Sequence, residues 1–178
     1  MRARQVVPPA SPITLADAKM HMHVDHDEDD ALIHVYIEAA VARVETETGR
    51  AFGPQTWEVV FDDVPPRGAF LPRTPATAVL SATYLDALGQ GVAVEPDAYV
   101  FTPGLDAFLV PAASWPVPAR APVTLTYTAG EGWPPDAIQA VRLLVAHWYR
   151  TREGMAERMA ETPYGVSALL GLHRRMHA

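Results

Sequence analysis

The hydrophobic period changes twice along this chain, and no other feature restricts its fold as much. Leu32, Val35, Tyr36, Ala39 and Val44 recur at helical spacing; Trp57, Val59 and Phe61 occupy every second position; Ile138, Val141, Leu144, Val145 and Trp148 return to helical spacing. An apolar helical face must be buried against another element. The two helical stretches therefore predict one body in which the Leu32–Val44 face meets the Ile138–Trp148 face, with a strand-rich region inserted between them. The fold class expected is α+β: a helical bundle body, an inserted small antiparallel β-sheet or barrel region, and an extended C-terminal segment.

Local signals set the boundaries. Thr14 with Asp17 three residues on reads as a capping box opening a short helix that runs to about Val24. Asp27 with Asp30 repeats the signal, and the four carboxylates of Asp27 to Asp30 suit the positive end of a helix over residues 28–48 that stops at a left-handed Gly49. Pro134-Pro135 opens a third helix, reaching about Arg152, with Arg150 and Arg152 near its negative end. Between these helices, strands are expected at Trp57–Phe61, Ala69–Leu71, Val79–Leu85, Ala98–Phe101, Ala107–Val110 and Val123–Thr128. Turns at Asp62-Asp63, Pro65-Pro66, Leu88–Gly91, Pro103-Gly104 and Pro116–Pro118 separate them.

The ends are less regular. Residues 1–13 read as a flexible or extended arm, because Pro8-Pro9 disfavours helix and strand alike. Glu153–Glu161 is polar and reads as a link, and Pro163-Tyr164-Gly165 breaks the chain before Val166–Met176. A helix of about eleven residues is marginal alone, so the stripe of Val166, Leu169, Leu170 and Leu172 needs a partner surface.

Composition removes whole classes of function. The 178 residues hold no cysteine, which excludes a disulfide scaffold, a cysteine zinc site and a cysteine nucleophile. No apolar run approaches the roughly 20 residues needed to span a bilayer, and the N-terminus has no signal-peptide core; a soluble intracellular chain without membrane partners is expected. The 17 prolines belong to edges and loops. The net charge of −7 is concentrated in residues 11–50 (−6) and 51–135 (−5), whereas residues 1–10 and 136–178 are each +2. An acidic body lacks the basic stripe of a dedicated nucleic-acid binder.

Catalytic grammar is sparse. His21, His23 and His26 with Asp25 and Asp27 are the residue types that ligate metals, but His21 and His23 point apart on a helix and only His23 with His26 could share an ion. Solvated helix-end residues explain them better, so neither a metal nor a cofactor is expected. The acidic run lacks the glycine and glutamate of a calcium loop. No GxGxxG, P-loop or GxSxG occurs, and no activating motif adjoins Ser11, Ser81, Ser114 or Ser167. Trp57, Trp115, Trp133 and Trp148 read as packing residues, without basic neighbours in the sequence to make a stacking platform. Two rival readings stay open: a metal-dependent enzyme built on the His21/His23/His26 and Asp cluster, and a β module binding a host or carbohydrate partner.

Taken in order, LADAK at Leu15–Lys19, DDALI at Asp29–Ile33, VETETGRAF at Val44–Phe52, YTAG before the Pro-Pro helix start, HWY at His147–Tyr149, Arg152-Glu153 and the Pro163–Arg174 segment resemble one family. The chain is similar to the head–tail connector (adaptor) proteins of long-tailed bacteriophages, prophages and gene transfer agents, over nearly its whole length. That resemblance implies a structural protein and no enzyme: a dodecameric homo-oligomeric ring beneath the portal, continuing the DNA channel. It implies helical bodies packed subunit to subunit, a β region toward a tail-side stopper or tail-terminator protein, and double-stranded DNA passing non-specifically. It places the protein in a virion or gene transfer agent particle, assembled in the bacterial cytoplasm. The organisation implied is a helical body of residues 14–52 and 133–153, a β-rich insertion at 54–130, and a linker with a portal-docking segment at 154–178. Portal contacts would come from Tyr164, Val166, Leu169, Leu170, Arg174 and Arg175, and helical-body packing from Leu32, Val35, Tyr36, Ile138, Val141, Val145 and Trp148.

Overall fold

The β region pairs into two antiparallel sheets because its alternating strands each have one apolar face to cover. The computed structural model describes residues 1–62, 67–86, 88–112, 122–151 and 164–174. They divide into two units: Met1–Ala10 with the described residues of Ala51–Gly132, and Ser11–Arg50 with the described residues from Trp133 onward.

In the β unit the strands are β1 (Arg2–Val7), β2 (Gln55–Phe61), β3 (Ala69–Phe70), β4 (Ala76–Leu85), β5 (Gly91–Ala93), β6 (Tyr99–Thr102), β7 (Phe108–Pro111) and β8 (Val123–Ala129). Five of them form a sheet in the order β1-β2-β8-β4-β5, and three form a second in the order β3-β7-β6. Register places Val59 opposite Leu125 and Trp57 opposite Tyr127. One face of β2 and β8 thereby buries Val59, Phe61, Leu125 and Tyr127 with Leu71 and Leu109, while Thr124, Thr126 and Thr128 alternate onto the other. Tyr127 is wholly buried; burial pushes its pKa up to about 12, and its hydroxyl accepts the Arg73 amide at 3.2 Å.

Two strands were missing from the sequence expectation. β1 corrects the flexible arm: Arg2–Val7 pairs with β2, and Pro8-Pro9 ends the strand instead of preventing it. It lies at the sheet edge, where Arg4 meets Glu58 at 2.9 Å and Arg2 meets Asp62 at 3.0 Å. β5 occupies part of what read as a turn, pairing with β4 at Thr83–Leu85. The expected turns at Pro65-Pro66 and Pro116–Pro118, and Asp63 of the Asp62-Asp63 turn, lie outside the described residues.

Gly130, the last residue of YTAG, explains why that motif ends as it does. Its φ is +92°, its amide donates to the Pro75 carbonyl at 2.8 Å, and a Cβ there would fall 2.1 Å from the Gly53 carbonyl oxygen. Gly130→Ala is expected to destabilise the β unit by about 1–3 kcal/mol from backbone strain alone. A thermal melt with an unchanged midpoint would contradict this.

The helical unit contains α1 (Leu15–Met22), α2 (Asp30–Thr48), α3 (Pro135–Arg150) and α4 (Tyr164–Leu170), followed by a 3-10 turn at Gly171–His173. The Thr14 capping box forms as read, and Gly49 caps α2 at φ +69°. The start of α2 differs from expectation, since Asp29 is its N-cap and makes no side-chain cap bond.

The face of α2 also differs by about one position. Ile33, Tyr36, Ile37, Ala40, Val41 and Val44 are buried, whereas Val35 is 58% exposed and Leu32 is only half-buried. On α3, Val141, Leu144, Val145 and Trp148 are buried with Ala137 and Ala140, and Ile138 is half-buried. Val35 is thus no packing residue, and Leu32 and Ile138 lie at the rim. The reason is that α2 is apolar around most of its circumference, so periodicity leaves its phase open. Contacts with α1, α3 and α4 select the Ile33/Ile37 side.

Candidate interaction site

The resemblance-bearing stretches meet in the helical unit. Tyr149, in HWY, donates its hydroxyl proton to Asp29, in DDALI, at 2.8 Å. Trp148 packs on Tyr36 with ring centroids 6.2 Å apart and planes tilted by 59°. Lys19, the single lysine, donates to both Asp27 (2.6 Å) and Asp30 (2.7 Å), tying α1 to the start of α2. Those hydrogen bonds hold the Lys19 pKa above its ordinary value and the Asp27 pKa below the usual carboxylate range. The acidic run is therefore a structural joint between helices.

The histidines take different places. His21 lies in the last turn of α1, His23 is its left-handed cap at φ +58°, and His26 Nδ1 is 2.8 Å from Glu28 with Nε2 3.8 Å from Asp29. Among the described residues no group of three or more metal-ligating side chains forms. His23 holds a conformation that costs a Cβ-bearing residue about 1–2 kcal/mol. His23→Gly should accordingly raise thermal stability by up to about 1 kcal/mol. A melting temperature that falls would point to another role for this imidazole.

The C-terminal residues divide into buried and exposed sets. Val166 and Leu170 are fully buried in the helical unit, Leu169 is half-buried, and Arg174 pairs with Glu47 at 2.5 Å. This corrects the expectation of an extended apolar segment: α4 packs on α3 and α2, because Val166 and Leu170, two of the four residues of the apolar stripe, find a covering face within the same unit. Tyr164 begins α4, and Arg175 lies outside the described residues, as do Arg152-Glu153 and the 154–163 part of the expected linker. Leu172, counted in the apolar stripe but not among the expected portal contacts, is 88% exposed just beyond α4. Its exposure could not be inferred from a stripe that counted it with Val166 and Leu170.

Elsewhere, the tertiary structure places the Arg73 guanidinium 5.1 Å from the Trp57 ring centre, a basic neighbour that sequence order conceals. Trp57 also donates its indole N–H to Gln55 at 2.8 Å, and Trp115 lies outside the described residues. Among the described residues no helix is long and apolar enough to cross a membrane.

The family described as head completion protein matches residues 12–176. The chain belongs to that family. As a head completion protein it is a structural virion component. Solved structures similar to it include a chain in the neck of an empty gene transfer agent particle computed with C6 symmetry, at TM-score 0.81 and 26% identity. The virion of a native gene transfer agent particle gives TM-score 0.80 and 26% identity, and the neck of a native particle computed with C12 symmetry gives 0.79 and 26%. Each match covers 100% of this head completion protein and 97% of the other chain. No curated protein matches it.

Proposed function

We propose that this head completion protein joins the DNA-filled head to the tail as one subunit of a homo-oligomeric ring, a dodecamer, that continues the DNA channel. The observation carrying this reading is the likeness, over the full chain, to chains from particle necks computed with C6 and C12 symmetry. A net charge of −7 supports it, because a channel wall must let phosphates pass without holding them. The protein acts without catalysis. In support, Asp27, Asp29 and Asp30 are each engaged in contacts that hold helices together.

The portal lies on one side of the ring and a tail-side stopper or tail terminator on the other. Within the C-terminal segment, Leu169, Leu172 and Arg174 are among the described side chains with surface to offer the portal; Val166 and Leu170 are spent on the subunit itself. Ring repetition would make a weak contact at each subunit tight through avidity. Electron microscopy of the protein mixed with portal-bearing heads tests the reading: a ring of density at the portal vertex is expected. Heads that leave the portal vertex bare, with the protein monomeric in solution, would overturn it.

A further inference from the structure

The three-stranded sheet is apolar on both faces. Register puts Ala69, Leu109, Phe101 and Tyr99 on one side, against the core, and Phe70, Phe108, Val110 and Val100 with Thr102 on the other. On that outer side Phe70 is 60% and Val100 53% exposed, and the Phe70 and Phe108 rings lie 4.7 Å apart between centroids at 57°. An antiparallel sheet with one face in water ordinarily alternates apolar with polar residues. This one does so only at Thr102, and none of its five outer positions is charged. A contiguous aromatic and aliphatic patch of this kind marks a protein interface, and with no cation it has nothing to offer DNA phosphates.

We propose that this outer face is a contact with a second copy of the chain, a reading that rests on the ring proposed above. Two features commit the site to that occupant. The similar neck structures were computed with C6 and C12 symmetry, an arrangement in which equivalent chains repeat around an axis. A ring closes through heterologous contacts, in which one surface meets a different surface of the next copy, so each chain must carry both halves. The β unit carries a second apolar set on its other sheet and the turn that follows: Leu80, Leu85 and Leu88, all exposed. The Phe70 face of one copy is assigned to the surface that Leu80, Leu85 and Leu88 present on its neighbour.

The test uses the full-length protein. A photo-crosslinking phenylalanine analogue in place of Phe70, irradiated in assembled rings, should give a covalent species of twice the chain mass, joined to the neighbour within residues 80–88. The double variant Phe70→Asp, Val100→Asp should keep the subunit's thermal transition, since both positions are exposed, and reduce ring formation at least tenfold by sedimentation velocity. Crosslinks only to another particle protein, or undiminished rings from the folded double variant, overturn this assignment and leave the ring intact. Should the double variant fail to fold, the crosslink decides alone. A wild-type protein that forms no ring under any condition overturns the proposed function, and this contact with it.

Discussion

Trp148→Ala lowers the stability of the helical unit by about 3–5 kcal/mol, among the largest effects a single core substitution can have. Trp148 is 4% exposed, and its ring rests against Tyr36 across the α2–α3 seam. Truncation removes the transfer free energy of a large aromatic and leaves a cavity that two facing helices can only partly close. The control is Val35→Ala on the same seam helix. Val35 is solvent-facing, so its loss should change stability by no more than about 0.5 kcal/mol. Urea titrations followed by far-ultraviolet circular dichroism separate the two. Equal effects would show that α2 presents a different face to α3.

Removing the chain from Tyr164 onward unfolds or severely weakens the helical unit, and Leu170→Ala alone costs about 2–5 kcal/mol. Val166 and Leu170 are fully buried, so truncation exposes the apolar surface of α3 that they cover. Polar contacts hold the end of the segment as well: His173 Nε2 is 2.6 Å from Asp136 Oδ2, and Arg174 reaches Glu47. Burial acts to raise the Asp136 pKa, but the His173 hydrogen bond and charge, with backbone amides at the start of α3, hold it below the usual carboxylate range. A carboxylate with a depressed folded pKa stabilises fully above its unfolded value of about 3.9 and loses that contribution as pH falls through the folded value. Acid titration should therefore weaken the wild type below about pH 4 more than Asp136→Asn. A truncated protein that melts like the full chain would instead make this segment a detachable docking arm.

The histidine cluster and the C-terminal stripe illustrate how far residue patterns reach. For His21 and His23, spacing argued against a shared ion on the premise that both lie on a helix. His23 is instead the left-handed cap of α1 and His26 lies beyond it, a placement that spacing did not reveal. For Val166, Leu169, Leu170 and Leu172, spacing revealed a need for cover but not its source. The cover comes from α3 and α2, on segments distant in sequence, and it takes Val166 and Leu170 while leaving Leu172 in solvent. The proposed outer-face contact of β3, β6 and β7 was illegible for a similar reason. Phe70, Val100 and Phe108 share a face only once the register of three strands is set.

By itself the sequence determined the kind and order of most elements: the Thr14–Asp17 capping box, the Gly49 stop, the Pro-Pro start of α3, and strands between helices. Each depends on dihedral preferences and hydrogen bonds reaching only a few residues along the chain. Its accumulated motifs also carried the family, since Asp29, Tyr149 and Gly130 each answer a demand that few other residues meet. Tertiary structure alone decided that Arg2–Val7 pairs with β2, that α2 turns Ile33 and Ile37 inward instead of Val35, that Arg73 lies over Trp57, and that α4 folds back onto its own body. Those choices compare burial energies of alternative faces, and such differences exist only once segments far apart in the chain have come into contact.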